Sequence, residues 1–285
     1  MPKMLRKVAL IAAAFALVAG SPALASGGAE HPKNIAYSFD GPFGKFDQAQ
    51  LQRGYKVYRE VCSACHAMSL VSFRNLGDKG GPFYVDDPHI ETSNDNPYVK
   101  AIAAEYQIND IDSETGDVIQ RPGTPADRFP SPFPNEAAAK ASNGGALPPD
   151  LSVMAKARHG GPAYIASLLS GYENPPAGLE VSPAQHYNPY MAGDLTSAWK
   201  GSGHVPPGGL IAMPPPLREG GVTFDDGTPS TVEQQAKDVS AFLMWTAEPK
   251  LEDRKQMGFA VMIYLVLLTA LLYWSYRRVW RNESH

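Results

Sequence analysis

The chain has 285 residues, 26 glycines, 26 prolines, two cysteines and a formal net charge of −4. Two cysteines exclude a disulfide-stapled scaffold. There is no basic stripe or nucleic-acid-binding motif, so no nucleic acid partner is expected, and no Ser/His/Asp hydrolase pattern stands out.

Residues 1–25 have three zones: a basic start at Lys3, Arg6 and Lys7, an apolar run from Val8 to Ala19, and Ala23-Leu24-Ala25. Together they predict a bacterial-type secretory signal removed before Ser26. An uncleaved anchor would need about 20 apolar residues, more than this run supplies. The segment 26–257 is then the exported domain. It carries 19 basic and 28 acidic residues, a net charge of −9. Such a domain can steer a basic partner with a salt-sensitive on-rate, although solubility alone accounts for any single carboxylate.

A helix is expected to open at Phe46-Asp47, with Asp47 as cap, Gln50 at the capping-box position and Phe46 as staple. Leu51, Tyr55, Tyr58, Val61 and Cys65 recur at spacings of three and four, which makes one face apolar. The helix delivers Cys62-Ser63-Ala64-Cys65-His66 at its end. C-x-x-C-H is the attachment signature of a c-type haem. Two thiols three residues apart can add to the two vinyl groups of one porphyrin, and the following histidine supplies an imidazole nitrogen to the iron. Both cysteines lie in this motif, so one covalent haem is expected and no thiol remains for a disulfide. A thioredoxin-like dithiol would want a βαβ context, and residues 50–80 offer none. A structural zinc site would want more ligands, yet there is no second C-x-x-C, and His89 has no histidine partner nearby. The export signal also favours haem, because bacteria attach c-type haem outside the cytoplasm.

Residues 72–135 are rich in Gly, Pro and Asp and read mostly as loops, with one short helix over Pro97–Gln107 that turns Val99, Ile102 and Tyr106 inward. So long an irregular stretch suits a haem protein, where porphyrin replaces part of the side-chain core. Three short helices follow. Asn135 caps one that ends near Gly144, Asp150 caps one that stops at Gly160-Gly161, and Pro162 opens one that ends at Gly171. No sustained alternation argues for a large sheet.

Residues 172–230 return to loop and contain Met213-Pro214-Pro215-Pro216-Leu217. Proline holds its predecessor extended, and further prolines stiffen the perch, so Met213 suits a thioether that must meet an iron. Among the other methionines, Met68 is too close to His66 to cross to the opposite haem face, and Met257 and Met262 belong to the apolar C-terminal end. Rigidity favours Met213, while Met154, Met191 and Met244 stay open on chemistry alone. A last helix of the exported domain is expected to start at Ser230, with Glu233 completing a capping box, and to run out before Pro249. Its face of Val232, Ala236, Val239, Phe242 and Leu243 should pack on the helix that carries the cysteines.

Residues 258–276 are apolar and uncharged, 19 residues that suit one transmembrane helix. Tyr273, Trp274, Tyr276 and Trp280 form an aromatic belt, and Arg277, Arg278 and Arg281 suit a cytoplasmic tail at 277–285. Lys250, Arg254 and Lys255 on the other flank weaken that charge count, so the export signal sets the expected orientation: a single-pass protein of the bacterial inner membrane with its haem domain periplasmic.

The order of parts resembles the cytochrome c1 family, the haem subunits of cytochrome bc1 complexes. The likeness rests on Arg53-Gly54-Tyr55-Lys56-Val57-Tyr58 before Val61-Cys62, and on Asn143-Gly144-Gly145-Ala146-Leu147-Pro148-Pro149-Asp150-Leu151-Ser152. Arg158-His159-Gly160-Gly161, Tyr187-Asn188-Pro189-Tyr190, Phe224-Asp225-Asp226-Gly227-Thr228-Pro229 and Trp245-Thr246-Ala247-Glu248-Pro249 add to it. The resemblance implies a mostly α, class I-like c-type cytochrome domain with long Pro/Gly-rich loops plus one C-terminal transmembrane helix. It implies one covalent haem c on Cys62 and Cys65, with His66 and Met213 as axial ligands. Asn143, Arg158 and Tyr164 match positions around the haem propionates, and an Arg158 guanidinium suits a propionate. The implied partners are cytochrome b, the Rieske iron–sulfur protein and a soluble cytochrome c acceptor, within a dimeric ubiquinol–cytochrome c oxidoreductase. The chain itself would transform no substrate. An anchored cytochrome c domain of another oxidase or dehydrogenase is the alternative, and a periplasmic metal-handling factor is a third reading. Some bacterial members carry a further cysteine pair and a longer insertion. This chain has neither, so packing or proline stiffness must hold the Met213 loop.

Overall fold

A computed structural model describes residues 28–282. The expected signal at 1–25 and the last three residues of the expected tail lie outside this range. Helix α1 covers Gln48–Val57, and its Asp47 cap accepts from the Gln50 backbone N–H at 2.9 Å, as expected. The Gln50 side chain does not close a capping box. It is buried and donates to Asp238 at 2.9 Å instead.

Past Val57 the helix widens into a π-helical turn, Tyr58–Cys62, in which the Ser63 N–H donates to the Tyr58 carbonyl at 2.8 Å. A π turn inserts one extra residue, which rotates everything after it by about 100° relative to an α-helix. Leu51, Tyr55 and Tyr58 are therefore buried as the spacing predicts, while Cys65 is exposed rather than on the core stripe.

The 3₁₀ turn Phe73–Gly77 and helix α2, Pro97–Ala104, follow. Val99 and Ile102 are buried and Tyr106 packs against the core, as expected. The acidic stretch beyond is not all loop. Strands β1, Gln107–Ile111, and β2, Val118–Pro122, form an antiparallel hairpin with Ile111 opposite Val118. Both strands are solvated on each face, so no apolar alternation marks them. The Arg121 guanidinium holds the hairpin through Asp110 at 2.5 Å and Asp127 at 2.7 Å.

Helix α3, Glu136–Ser142, is capped by Asn135 as expected. Helix α4 covers only Met154–Ala157 and starts later than the Asp150 cap predicts. Helix α5 covers Gly161–Leu169 with Pro162 in its first turn. A second small antiparallel pair joins β3, His186–Asn188, to β4, Gly209–Ile211.

Helix α6, Val232–Ala247, is capped by Thr231, whose hydroxyl accepts from the Gln234 N–H at 3.1 Å; the cap is one residue later than Ser230. It crosses α1 and also packs on α4 and α5. Gly54 makes the crossing possible, since a Cβ there would sit 2.1 Å from the Asp238 carbonyl oxygen and 2.7 Å from the Phe242 Cβ. Asp238 is fully buried beside the crossing and pairs with Arg53 at 2.7 Å. Tyr55, Tyr58, Phe73, Phe129, Phe242 and Trp245 form the aromatic centre of the core. Phe73 and Phe129 ring centroids are 4.4 Å apart.

Helix α7, Leu251–Val279, is continuous and contains the expected span. Its mean hydropathy reaches 2.1 over an 18-residue window, and none of that window is buried within the protein. At 1.5 Å per residue it is about 44 Å long, enough to cross a bilayer and extend beyond it.

Candidate haem site

The motif closes one turn at the end of the π segment. Cys65 and His66 N–H groups both donate to the Cys62 carbonyl, at 3.1 and 2.9 Å. Burial, with the neighbouring Cys65, pushes the Cys62 thiol up to about 12. Among the described residues no group of three or more His, Cys, Asp or Glu is placed to hold a metal ion.

His66 Nδ1 lies 2.8 Å from the Pro149 carbonyl oxygen. A carbonyl only accepts, so Nδ1 carries the proton and donates, and Nε2 keeps a free lone pair. Burial holds the His66 pKa below its ordinary value, which favours this neutral form. The imidazole is thus prepared as a ligand through Nε2, with a carbonyl behind it to fix the ring.

The segment that presents Pro149 is itself fastened to the residues after His66. Leu151 N–H donates to the Ala67 carbonyl at 2.9 Å. Asp150 accepts from the Ser69 backbone at 2.9 Å and the Ser69 hydroxyl at 2.7 Å. Ser152 Oγ accepts from Leu70 N–H at 3.1 Å. Burial acts to raise the Asp150 pKa, but hydrogen bonds from Ser152 and Ser69 outweigh it and hold the carboxyl below its ordinary value. Pro149 and this role of Asp150 escape a reading by spacing; their only trace is the Pro-Pro-Asp-Leu-Ser run in the family resemblance.

Met213 follows β4 by two residues and precedes Leu217, which is buried in the main core. Its carbonyl accepts from the Tyr172 hydroxyl at 3.0 Å. The loop is therefore held at both ends and pinned in the middle, and Tyr172 is a further residue that spacing does not reveal. Of the competing methionines, Met68 is fully buried in the core, and Met154 and Met244 pack against it. The Met191 sulfur lies 3.9 Å from the Tyr164 hydroxyl.

Arg158 is exposed at the end of α4, and its charge acts on the half-buried Tyr164 phenol of α5, whose pKa burial raises. Asn143 ends α3, and its amide donates to the Ala139 carbonyl at 2.7 Å. The structure thus groups Cys62, Cys65 and His66 on one turn and Arg158 with Tyr164, while Met213 and Asn143 lie on separate segments tied to Tyr172 and Ala139. Two thiols, a neutral imidazole with one free nitrogen and a thioether on a stiff loop form a donor set that fits a c-type haem.

The Cytochrome C1 family matches residues 37–283. The chain belongs to the cytochrome c1 family. It is 43% identical over 295 residues to cytochrome c1 of Rhodospirillum rubrum, with 98% of both chains covered. It is 44% identical over 299 residues to a Bradyrhizobium diazoefficiens protein named cytochrome b/c1, covering 98% of this chain and 40% of that longer one. It is also 43% identical over 251 residues to the mitochondrial cytochrome c1 heme protein of Saccharomyces cerevisiae, covering 88% of this chain and 72% of the relative. A cytochrome is a haem protein, so haem is the group that this cytochrome c1-family chain carries. Among the described residues one helix, α7, is long and apolar enough to cross a membrane, and together with the bacterial cytochrome c1 relatives it supports a membrane-anchored protein.

Proposed function

We propose that the chain is the monohaem electron carrier of a ubiquinol–cytochrome c oxidoreductase. Cys62 and Cys65 are the thioether attachment points, and His66 and Met213 are the axial ligands. The observation that carries the assignment is the Pro149–His66 hydrogen bond, which leaves one imidazole nitrogen free beside the two cysteines. Bound haem supplies a one-electron iron couple. The protein's part would be to hold the haem, exclude water and set the potential; thioether ligation by Met213 would favour ferrous iron and raise the potential. Arg158 and Tyr164, with Asn143 less directly, form the propionate surroundings, where a guanidinium offsets carboxylate charge.

No bond is made or broken. One electron arrives from a Rieske iron–sulfur protein and leaves to a soluble c-type cytochrome. The relative named for both cytochrome b and c1 supports cytochrome b as a neighbour. The expected export signal and the arginines after α7 support a periplasmic haem domain, and the family supports a dimeric assembly.

The test is a haem-stained denaturing gel followed by a redox titration of purified wild type and Met213→Leu. Covalent haem survives denaturation, and loss of Met213 lowers the potential on the order of hundreds of millivolts, within the roughly 0.8 V that axial ligands span. An unchanged potential rules out Met213 as ligand. A gel without stain removes the carrier reading.

A further inference from the structure

Below the haem domain, a recess of about 280 Å³ is lined by Pro42, Phe43, Lys45, Glu252, Lys255 and Phe259. One side of it is the 39–46 loop and the other is the start of α7. The loop is fastened to α7 at three levels. Phe46 N–H donates to Glu252 Oε1 at 3.0 Å. Lys255 Nζ donates to the carbonyls of Phe39 and Gly44. The Phe43 ring meets Phe259 edge-on, with centroids 5.3 Å apart. Residues 252, 255 and 259 recur at spacings of three and four, so they share one face of the helix.

The loop is stiff as well as fastened. Tyr37 N–H donates to Asp40 Oδ2 at 2.7 Å, and Lys45 N–H closes the loop onto the Ser38 carbonyl at 3.0 Å. Phe43 nevertheless stays 70% exposed at its tip, and Phe259 is 52% exposed. Phe259 is the second residue of the uncharged apolar run, so it marks the level at which α7 enters hydrocarbon. Phe43 meets it edge-on and shares that level, with the exposed Lys45 on the same loop.

We propose that the Gly41–Lys45 loop is a second membrane contact of this protein. Phe43 sits at the boundary between lipid headgroups and acyl chains, and Lys45 faces the phosphates of anionic phospholipid. Continuity with the membrane span and the charge of Lys45 identify a lipid surface as the occupant; aromatic and basic residues together suit that boundary. The haem domain then touches the bilayer at two points, which prevents rotation about the anchor.

The full-length holoprotein, with any subunits that co-purify, is placed in nanodiscs of mixed anionic and zwitterionic phospholipid. A p-benzoyl-phenylalanine photocrosslinker stands at position 43, and a second preparation carries it at position 265 within the span as a positive control. The reduced haem band verifies folding of each. Mass spectrometry of the adducts should find phospholipid at 43, enriched in the anionic species. Lys45→Gln should lower the anionic-to-zwitterionic adduct ratio about five-fold, the effect of one lysine at an anionic surface. Peptide adducts at 43, from a second copy or another membrane protein, overturn the proposal. So does a lack of lipid adducts at 43 while position 265 gives them, and an unchanged ratio in Lys45→Gln removes the headgroup contact.

Discussion

Pro149 places its carbonyl oxygen 2.8 Å from Nδ1 of His66, across 83 residues of chain. A proline has no N–H of its own to compete for that position, and its neighbours Asp150, Leu151 and Ser152 are tied to Ser69, Ala67 and Leu70. The orientation of the imidazole therefore depends on a strap outside the motif. Asp150→Ala removes the acceptor for three donors, the Ser69 and Ser152 N–H groups and the Ser69 hydroxyl. Thermal unfolding should show a loss of about 1–2 kcal/mol, given the worth of hydrogen bonds to a charged group at a half-exposed site. The redox titration should broaden or shift as well. Wild-type values in both measurements would mean that the strap does not hold His66.

Tyr172 acts on Met213, the second proposed ligand. Tyr172→Phe keeps the ring and removes the hydroxyl that holds the Met213 carbonyl. One neutral hydrogen bond is worth about 0.5–1.5 kcal/mol, so the population with Met213 detached should rise about two- to ten-fold. Carbon monoxide binding to ferrous protein reads that population directly, and a smaller fall in potential than in Met213→Leu should accompany it. Binding no faster than in wild type would leave the loop held by its prolines and Leu217 alone.

At Gly54 the expected sign is the informative part. At an unconstrained helix position, glycine to alanine stabilises by about 1 kcal/mol. Here the added methyl group meets the Asp238 carbonyl and Phe242. Gly54→Ala should instead destabilise by about 1–3 kcal/mol, as overpacked cores do. A lowered denaturant midpoint with the slope unchanged is the expected result. A raised midpoint would show that α1 and α6 do not cross as closely as described.

How far these features can be read from sequence depends on how local their chemistry is. The haem motif is legible because both thiols and the imidazole lie within five residues. The groups that hold the two proposed ligands are distant in sequence, Pro149 83 residues from His66 and Tyr172 41 residues from Met213, which spacing cannot show. Asp150 reads as a helix cap because its local pattern suits one, yet it also holds the backbone N–H and hydroxyl of Ser69, 81 residues away. Ser230 and Thr231 each have Glu or Gln three residues on, and only the backbone chooses Thr231. The hairpin is hidden because water wets both of its faces. The π turn leaves no compositional trace, although it decides that Cys65 faces outward.

Acid should destabilise the domain within a defined window. The backbone N–H of Thr228, with Arg53, lowers the Asp226 carboxyl to about 2, and Arg121 with Thr124 holds Asp127 well below the carboxylate range. Carboxyls depressed by folding contribute stability above their unfolded value of about 3.9 and lose it as pH falls. The part of the unfolding temperature that these two carboxyls supply should be level from pH 7 to about pH 5 and drop from there toward about pH 2. Asp127→Asn should flatten part of that drop. A decline that begins near neutrality would point to groups other than these.

Only Glu248, Pro249 and Lys250 separate α6 from α7, and Leu251 is already buried. Glu248 binds Arg254 from the anchor and Lys156 from the domain across that joint. There is no slack arm on which the haem domain can swing. Its search for partners is confined to drift in the plane of the bilayer, with the redox centre carried at one altitude. Any longer reach between donor and acceptor has to be supplied by the molecules that visit it.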